Sequence, residues 1–353
     1  MGYASSLLSL PGAVELEEPS LLDASGIPFH YGNPLGEQRT AAERTVLVDR
    51  SHRRVIAVSG PDAAAFLNNL LSQKLLGVSD GFAASALDLD AQGHILHHVD
   101  VAVAGKVFYL DMPSYQHESL VEFLRKMVFW SDVTIEDTDL AVCTLMGPEV
   151  EAPDLGQVFS RRVSPWTDLE RVDIAVPRER LREVAEAYPL AGLMAFTAQR
   201  VRAGEPELRA DLDGKSIPHE TPRLINRAGS TGAVHLDKGC YRGQETVARV
   251  ENLGRSPRLL VMLQLDGSAP TEPTPGTAIT AGARTVGRLG TVVHDADYGP
   301  IALALVKRSA LEAPLSIGDV AATVDPDSLP RDEGEGLGRR AVDKLRRGPE
   351  TPL

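Results

Sequence analysis

The residues with the most chemical content lie in one short run, Lys238-Gly239-Cys240-Tyr241-Arg242-Gly243-Gln244-Glu245, continued by Thr246-Val247-Ala248-Arg249. A thiol attacks or ligates as thiolate, and nearby cations or a helix N-terminus lower the pKa that controls its ionisation. Lys238 and Arg242 each stand two residues from Cys240. Gly239 and Gly243 permit a tight loop with positive φ, and from Gln244 onward the sequence reads as a helix whose positive end follows the cysteine. The competing reading is a small buried filler, since free cysteine is among the most buried residue types. Cys143, inside the apolar run Ala141-Val142-Cys143-Thr144-Leu145-Met146, fits that inert description.

Two cysteines in 353 residues exclude a disulfide framework and a self-contained four-thiolate cage for zinc or an iron–sulfur cluster. His97 and His98 point to opposite faces if their segment is a strand, so they do not share one ion, and no metal site is expected. No glycine-rich phosphate loop of the G-x-x-x-x-G-K-[ST] or strand-linked G-x-G-x-x-G kind occurs. The formal charge of −13 argues against an extended nucleic-acid duplex as partner, which needs a broad basic face. That charge is unevenly spread: Arg200 to Arg258 holds 11 basic and 8 acidic residues, a local excess suited to a small anion. No apolar run is long enough to cross a bilayer, and Glu15, Glu17 and Glu18 follow the first leucines without a basic region before them, so a cytoplasmic protein is expected.

The elements that must position these groups alternate irregularly. Val46-Leu47-Val48 and Arg54 to Val58 read as strands, and Gly60-Pro61-Asp62 opens a helix with Ala63, Phe66, Leu67, Leu70 and Leu71 on one face. Phe82 to Leu110 reads as a strand meander with turns at Asp90-Ala91-Gln92-Gly93 and Ala104-Gly105. Ser114 is expected to cap a helix carrying Leu120, Leu124, Met127 and Val128. Strands at Leu140 to Met146 and Val172 to Val176 and helices at Pro177 to Ala187 and Ala191 to Ala203 make a second, similar unit. Beyond Gly254-Arg255-Ser256-Pro257 the texture changes to short β runs that a small barrel would close. The expected division is an irregular segment 1–39 running over the surface, two α+β subdomains with antiparallel sheets in 40–254, a β-barrel in 255–328 and a disordered tail in 329–353.

The string K-G-C-Y-x-G-Q-E resembles the signature of the YgfZ-type folate-binding proteins, relatives of the glycine-cleavage aminomethyltransferase that support iron–sulfur cluster assembly or repair. Leu47-Val48-Asp49-Arg50-Ser51 and Val58-Ser59-Gly60-Pro61-Asp62-Ala63 to Phe66-Leu67 are similar to that family's early strand and helix entry. Arg200-Val201-Arg202-Ala203-Gly204-Glu205-Pro206 and Ile217-Pro218-His219-Glu220 stand where it carries R-x-x-x-G-x-P and P-x-E elements. The resemblance covers about residues 40 to 325. It implies an aminomethyltransferase-like α+β fold, a three-part ring around a folate-sized channel bordered by the cysteine segment. Tetrahydrofolate is then the implied ligand. Glu220 is the candidate for the donor face of the pterin and Arg223 and Arg227 for the glutamate tail, with Tyr241 and His98 as further contacts. Glu220 as a surface residue or helix-cap partner is the plainer alternative.

Two departures separate this chain from the transferases. Their G-x-I-x-D-D element supplies a catalytic aspartate, whereas the aligned run here is Gly93-His94-Ile95-Leu96-His97-His98. A neutral imidazole does not copy a carboxylate that holds an aminomethyl ammonium by charge. Arg202 stands where the transferases have a glutamate. The resulting expectation is a folate-binding accessory protein that supports iron–sulfur enzymes through Cys240, with Lys238, Arg242 and Gln244 assisting, and with client or assembly proteins as partners. One chemical role is transient sulfur or cluster-fragment handling, the thiolate ligating iron or accepting sulfur. Two alternatives stay open: a folate-dependent transferase or demethylase using Asp88, Asp90 or Asp100, and a binding scaffold in which Cys240 is structural.

Overall fold

The computed structural model describes residues 2–151, 154–163, 165–166, 168–227 and 231–330. The first helix, α1 (Pro34–Glu43), is started by Asn33, whose side chain accepts from Gly36 N at 3.1 Å, and by a proline at the position that needs no amide hydrogen. Strands β1 (Val46–Asp49) and β2 (Arg54–Ser59) follow, joined by a turn in which Arg53 N donates to Arg50 O at 3.1 Å. Helix α2 (Ala63–Leu70) buries Ala63, Phe66 and Leu67 as its spacing predicts. The meander β3 (Ala83–Leu89), β4 (Ile95–Ala104) and β5 (Val107–Met112) leads to α3 (Ser114–Met127) and β6 (Thr134–Asp137). Ser114 is the first residue of α3 and not its cap; Pro113 holds the cap position, and no side chain bonds there. These strands make an antiparallel sheet in the order β3-β4-β5-β2-β6.

The plan then repeats. β7 (Leu140–Gly147), β8 (Phe159–Arg162), β9 (Glu170–Pro177) and the two-residue β10 (Leu190–Ala191) join β1 in the order β10-β1-β7-β9-β8. The helix expected from Pro177 to Ala187 is a single 3-10 turn leading into α4 (Leu181–Ala185); Pro189 disfavours helical backbone just ahead of it and stops the run early. Helices α5 (Leu193–Arg202), α6 (Leu208–Asp211) and α7 (Gln244–Leu253) complete this part. The last six strands, β11 (Arg258–Leu265), β12 (Ala278–Ala281), β13 (Arg284–Asp295), β14 (Gly299–Lys307), β15 (Leu315–Ile317) and β16 (Val320–Val324), close a barrel in the order β11-β14-β13-β12-β15-β16. The expected architecture, two α+β subdomains with antiparallel sheets and a small barrel, is thus the observed one, save that the edge pair β1–β10 of the second sheet is parallel.

Packing gives the first sheet two unlike faces. On one, α2 and α3 press Phe66, Leu67, Leu120 and Leu124 onto Ile56, Val58, Val101 and Leu110. The other meets the second sheet through Val55, Ala102, Val142, Phe159 and Ala175. The far side of the second sheet packs Leu47, Cys143, Leu145 and Ile174 on Leu181 and Val184 of α4. The N-terminal stretch does not simply cover the surface: Leu7, Ala24 and Ile27 are fully buried. Isolated anchors of this kind carry no periodicity and so leave no signal in the sequence. The disorder expected of the tail falls, from Arg331 onward, outside the described residues.

Candidate functional site

Between the two sheets, apolar packing gives way to a buried network of charge. Arg53 pairs with Asp111 and, at 3.2 Å, with Asp100; Arg161 reaches Asp173 at 2.7 Å and also contacts Asp111 and Asp100. Asp173 further accepts from Thr144 Oγ1 at 2.6 Å and stands 3.5 Å from Arg50. Burial pushes the Asp173 carboxyl up, but Arg171, Arg161 and Arg50 outweigh it and hold its pKa at about 2. Asp100 is likewise held below the carboxylate range, its burial outweighed by Arg161 and Arg53.

At one edge of this network the sheets part around a cavity of about 60 Å³. Its wall comes from the β1–β2 turn (Arg50, His52, Arg53), from His98 and Asp100 of β4, from the start of α3, from α5, from the segment 205–208 and from Leu22 and Asp23. Gln116 of α3 fixes β4 by accepting from His98 N at 2.8 Å. The guanidinium of Arg50 lies 4.3 Å from the centre of the Phe196 ring, and burial lowers its pKa to about 10. Arg200 is tied to Asp211 at 2.6 Å and to Thr291 Oγ1 at 2.6 Å. Burial also lowers the pKa of His98, which keeps its imidazole neutral at neutral pH, and raises Glu207 to about 8. His98 Nε2 and His52 Nδ1 are buried without a hydrogen-bond partner. These two nitrogens on one cavity wall are available to bond a water or a polar ligand.

The cysteine segment lies elsewhere. Lys238 Nζ donates to the carbonyls of Asn68, Leu71 and Gln73 (2.5, 2.5 and 3.1 Å), so it caps the C-terminal end of α2, and it lies 4.8 Å from the centre of the Tyr241 ring. Burial lowers its pKa to about 8. Arg242 pairs with the buried Asp88 and stacks 4.6 Å from the centre of the Phe123 ring on α3. The other oxygen of Asp88 binds His97 Nδ1 at 2.8 Å, and His97 Nε2 meets Ser119 Oγ at 2.8 Å. Gly243 adopts φ +82° as the cap of α7; a Cβ there would meet Asp90 O at 2.6 Å. Gly239, by contrast, has no positive φ. Gln244 closes the turn by accepting from Tyr241 N at 3.2 Å. Between these anchors Cys240 is exposed, whereas Cys143 is fully buried and its thiol is pushed up by desolvation.

His98 is the one expected ligand contact that the cavity wall includes. Glu220 is buried against Arg258 of the barrel at 2.7 Å, and desolvation raises its pKa. Arg223 lies 3.4 Å from Glu205, and Arg227 pairs with Glu251, which also binds His219 at 3.1 Å. Tyr241, half-buried under Lys238, belongs to the cysteine loop. The cations flanking Cys240 spend their donors on α2 carbonyls and on Asp88. Sequence reasoning missed Arg50, His52, Arg53 and Glu207. The signal was Asp49-Arg50-Ser51-His52-Arg53-Arg54, a polar run wedged between two apolar strands. Among the described residues no three His, Cys, Asp or Glu side chains gather as a cation site, and no helix is long and apolar enough to cross a membrane.

Residues 30–176 match the family described as the GCVT N-terminal domain, and residues 258–331 match the CAF17 C-terminal beta-barrel domain. Among curated relatives, an Arabidopsis thaliana protein named as a chloroplastic transferase is 26% identical over 75% of this chain, which spans 66% of that protein, just under two thirds of its length. The tRNA-modifying protein YgfZ of Colwellia psychrerythraea is 23% identical over 62% of this chain and 71% of that one. The human mitochondrial iron–sulfur cluster assembly factor IBA57 is 29% identical over 75% and 78%. The crystal structure of the glycine cleavage system aminomethyltransferase T from Bartonella henselae superposes with a TM-score of 0.73 over 90% of this chain and 94% of that one, at 19% identity, a likeness of fold. Residues 30–176 thus carry a GCVT-type domain and residues 258–331 a CAF17-type barrel on an aminomethyltransferase-like fold, and the chain is similar to the YgfZ and IBA57 proteins.

Proposed function

We propose that this chain is a folate-binding accessory protein of iron–sulfur cluster assembly or repair, with a tetrahydrofolate ring in the central cavity and the Cys240 thiol as the group that meets the cluster or its fragment. The observation that carries the reading is the construction of the cysteine loop. Three carbonyl bonds to Lys238, an ion pair at Arg242 and a close-packed Gly243 hold the loop on both sides of Cys240, yet leave that residue exposed. A cysteine kept for packing is buried, as Cys143 is. One thiolate provides one ligand, and the remaining ligands come from a partner or a small thiol.

The cavity fits the cofactor in chemistry: a reduced pterin brings uncharged donors and acceptors to a wall with the unpartnered His98 Nε2 and His52 Nδ1. His98 and His52 would hold the ring, and Arg50, stacked on Phe196, would face its oxygen. The names of the relatives, a tRNA-modifying protein and an iron–sulfur cluster assembly factor, point the same way. The transferase alternative finds its acids engaged: Asp100 by Arg53 and Arg161, Asp88 by His97 and Arg242, Asp90 by His94 at 2.8 Å. A cytoplasmic site of action belongs to the same proposal, and cell fractionation decides it.

The test has two arms. Cys240→Ala should fold with an unchanged melting curve and fail to restore aconitase-type activity in cells lacking the protein; full restoration removes the cysteine from the mechanism. Tetrahydrofolate titrated into a Trp130→Phe chain should perturb the emission of Trp166, which packs on Phe196 at 5.1 Å and donates to Glu205 at 2.9 Å. No change in calorimetry or emission would refute folate binding.

A further inference from the structure

We propose that the central cavity selects its ligand by charge: it takes a neutral ring of mixed donors and acceptors and refuses a ring of similar shape that carries a positive charge. The inference rests on the folate reading and adds to it which folates bind.

Its basis is the state of every carboxyl group on the cavity wall. Asp100 is neutralised by Arg53 at 3.2 Å and Arg161 at 3.6 Å. Glu205 faces Arg171 at 2.9 Å and Arg223 at 3.4 Å and accepts from Trp166 Nε1. Asp23 lies 3.2 Å from His52 Nε2. Glu207 accepts from Asp23 N at 2.7 Å, with Arg200 at 3.9 Å, and burial keeps it largely protonated at neutral pH. Arg50, Arg53 and Arg200 add positive potential to the same wall. A cationic ring entering here leaves its hydration behind and meets no uncommitted carboxylate, which is the costly case for a buried charge. A neutral ring meets the spare nitrogens of His98 and His52. His98 sits where an aspartate would reverse this preference, since an added carboxylate on β4 would face the ligand beside the already neutralised Asp100.

Three probes with a common glutamate tail isolate the ring: tetrahydrofolate and 5-formyltetrahydrofolate, neutral at the pterin, and 5,10-methenyltetrahydrofolate, whose bridge is a cation. Binding to the full chain is read by Trp166 emission in the Trp130→Phe background and by calorimetry, at one mildly acidic pH where the methenyl form persists. The neutral forms should bind roughly tenfold or more tightly than the cation. His98→Asp should shrink or invert that ratio, and His98→Gln, which stays neutral, should preserve it and so guards against a folding artefact. A methenyl form that binds wild type as tightly as the neutral forms overturns charge selection while leaving folate binding intact. Failure of all three to bind overturns the folate reading and this inference with it.

Discussion

The two faces of the sheet β3-β4-β5-β2-β6 are built on opposite principles. The face toward the second sheet buries charge in a cross-linked network and opens into a cavity; the face toward α2 and α3 is oily inside and carries the cysteine loop at its edge. One strand serves both. On β4, His97 turns to Asp88 and Ser119 under the loop, while His98, the next residue, turns to the cavity. The alternation of a strand thereby keeps the cavity and the cysteine loop on separate sides of one layer. The lesson is that the basic residues around Cys240 anchor a loop, whereas the residues that line the cavity are those the cysteine signature does not contain.

Changes confined to one face should leave the other's readout alone, and the largest effect is expected between the sheets. Arg161→Met takes one of two or more counter-charges from each of Asp111 and Asp173 in the interior and should cost about 3 kcal/mol in a denaturant melt. If it instead stabilises the protein, the network is no keystone. On the loop side, Gly243→Ala forces a Cβ toward Asp90 O at positive φ and should cost about 1–3 kcal/mol, measured the same way, without changing the folate titration. Lys238→Met removes the cap on α2 and should cost about 1–3 kcal/mol. It should also speed proteolysis within the loop while the pH midpoint of Cys240 alkylation stays at the wild-type position; a shifted midpoint would make Lys238 an electrostatic activator after all. The smallest effect is confined by pH. Glu207 has a folded pKa of about 8, raised by burial above its ordinary 4.5, so the folded state binds more protons than the unfolded chain between those values. Stability from this group is complete below the lower value and lost as pH rises through the upper one. Glu207→Gln should therefore raise the melting temperature at alkaline pH and leave it unchanged in acid.

Much of the scaffold was legible in the residues. Apolar runs bounded by the turns at 90–93 and 104–105 located the meander β3 to β5, the spacing of Phe66, Leu67 and Leu70 located α2, and the change of texture after Pro257 announced the barrel. Gly243 was readable as a positive-φ cap because a helix follows it directly. The cavity was not readable, for a physical reason. Arg161, Arg171 and Asp173 stand on short strands in the pattern of a sheet with one wet face, and only the docking of two such polar faces turns them inward. Glu220, Arg223 and Arg227 carry charge at suggestive spacing, yet their partners Arg258, Glu205 and Glu251 lie far enough along the chain that no local pattern reveals the pairing.

The sealed position of Cys143 gives the molecule an internal clock. In the native chain a thiol reagent of modest size can count one sulfur at once; the second becomes countable only when the sheet containing β7 opens. The lag between first and second equivalents therefore times the opening of that layer, in a chain that needs no label and no substitution to report it.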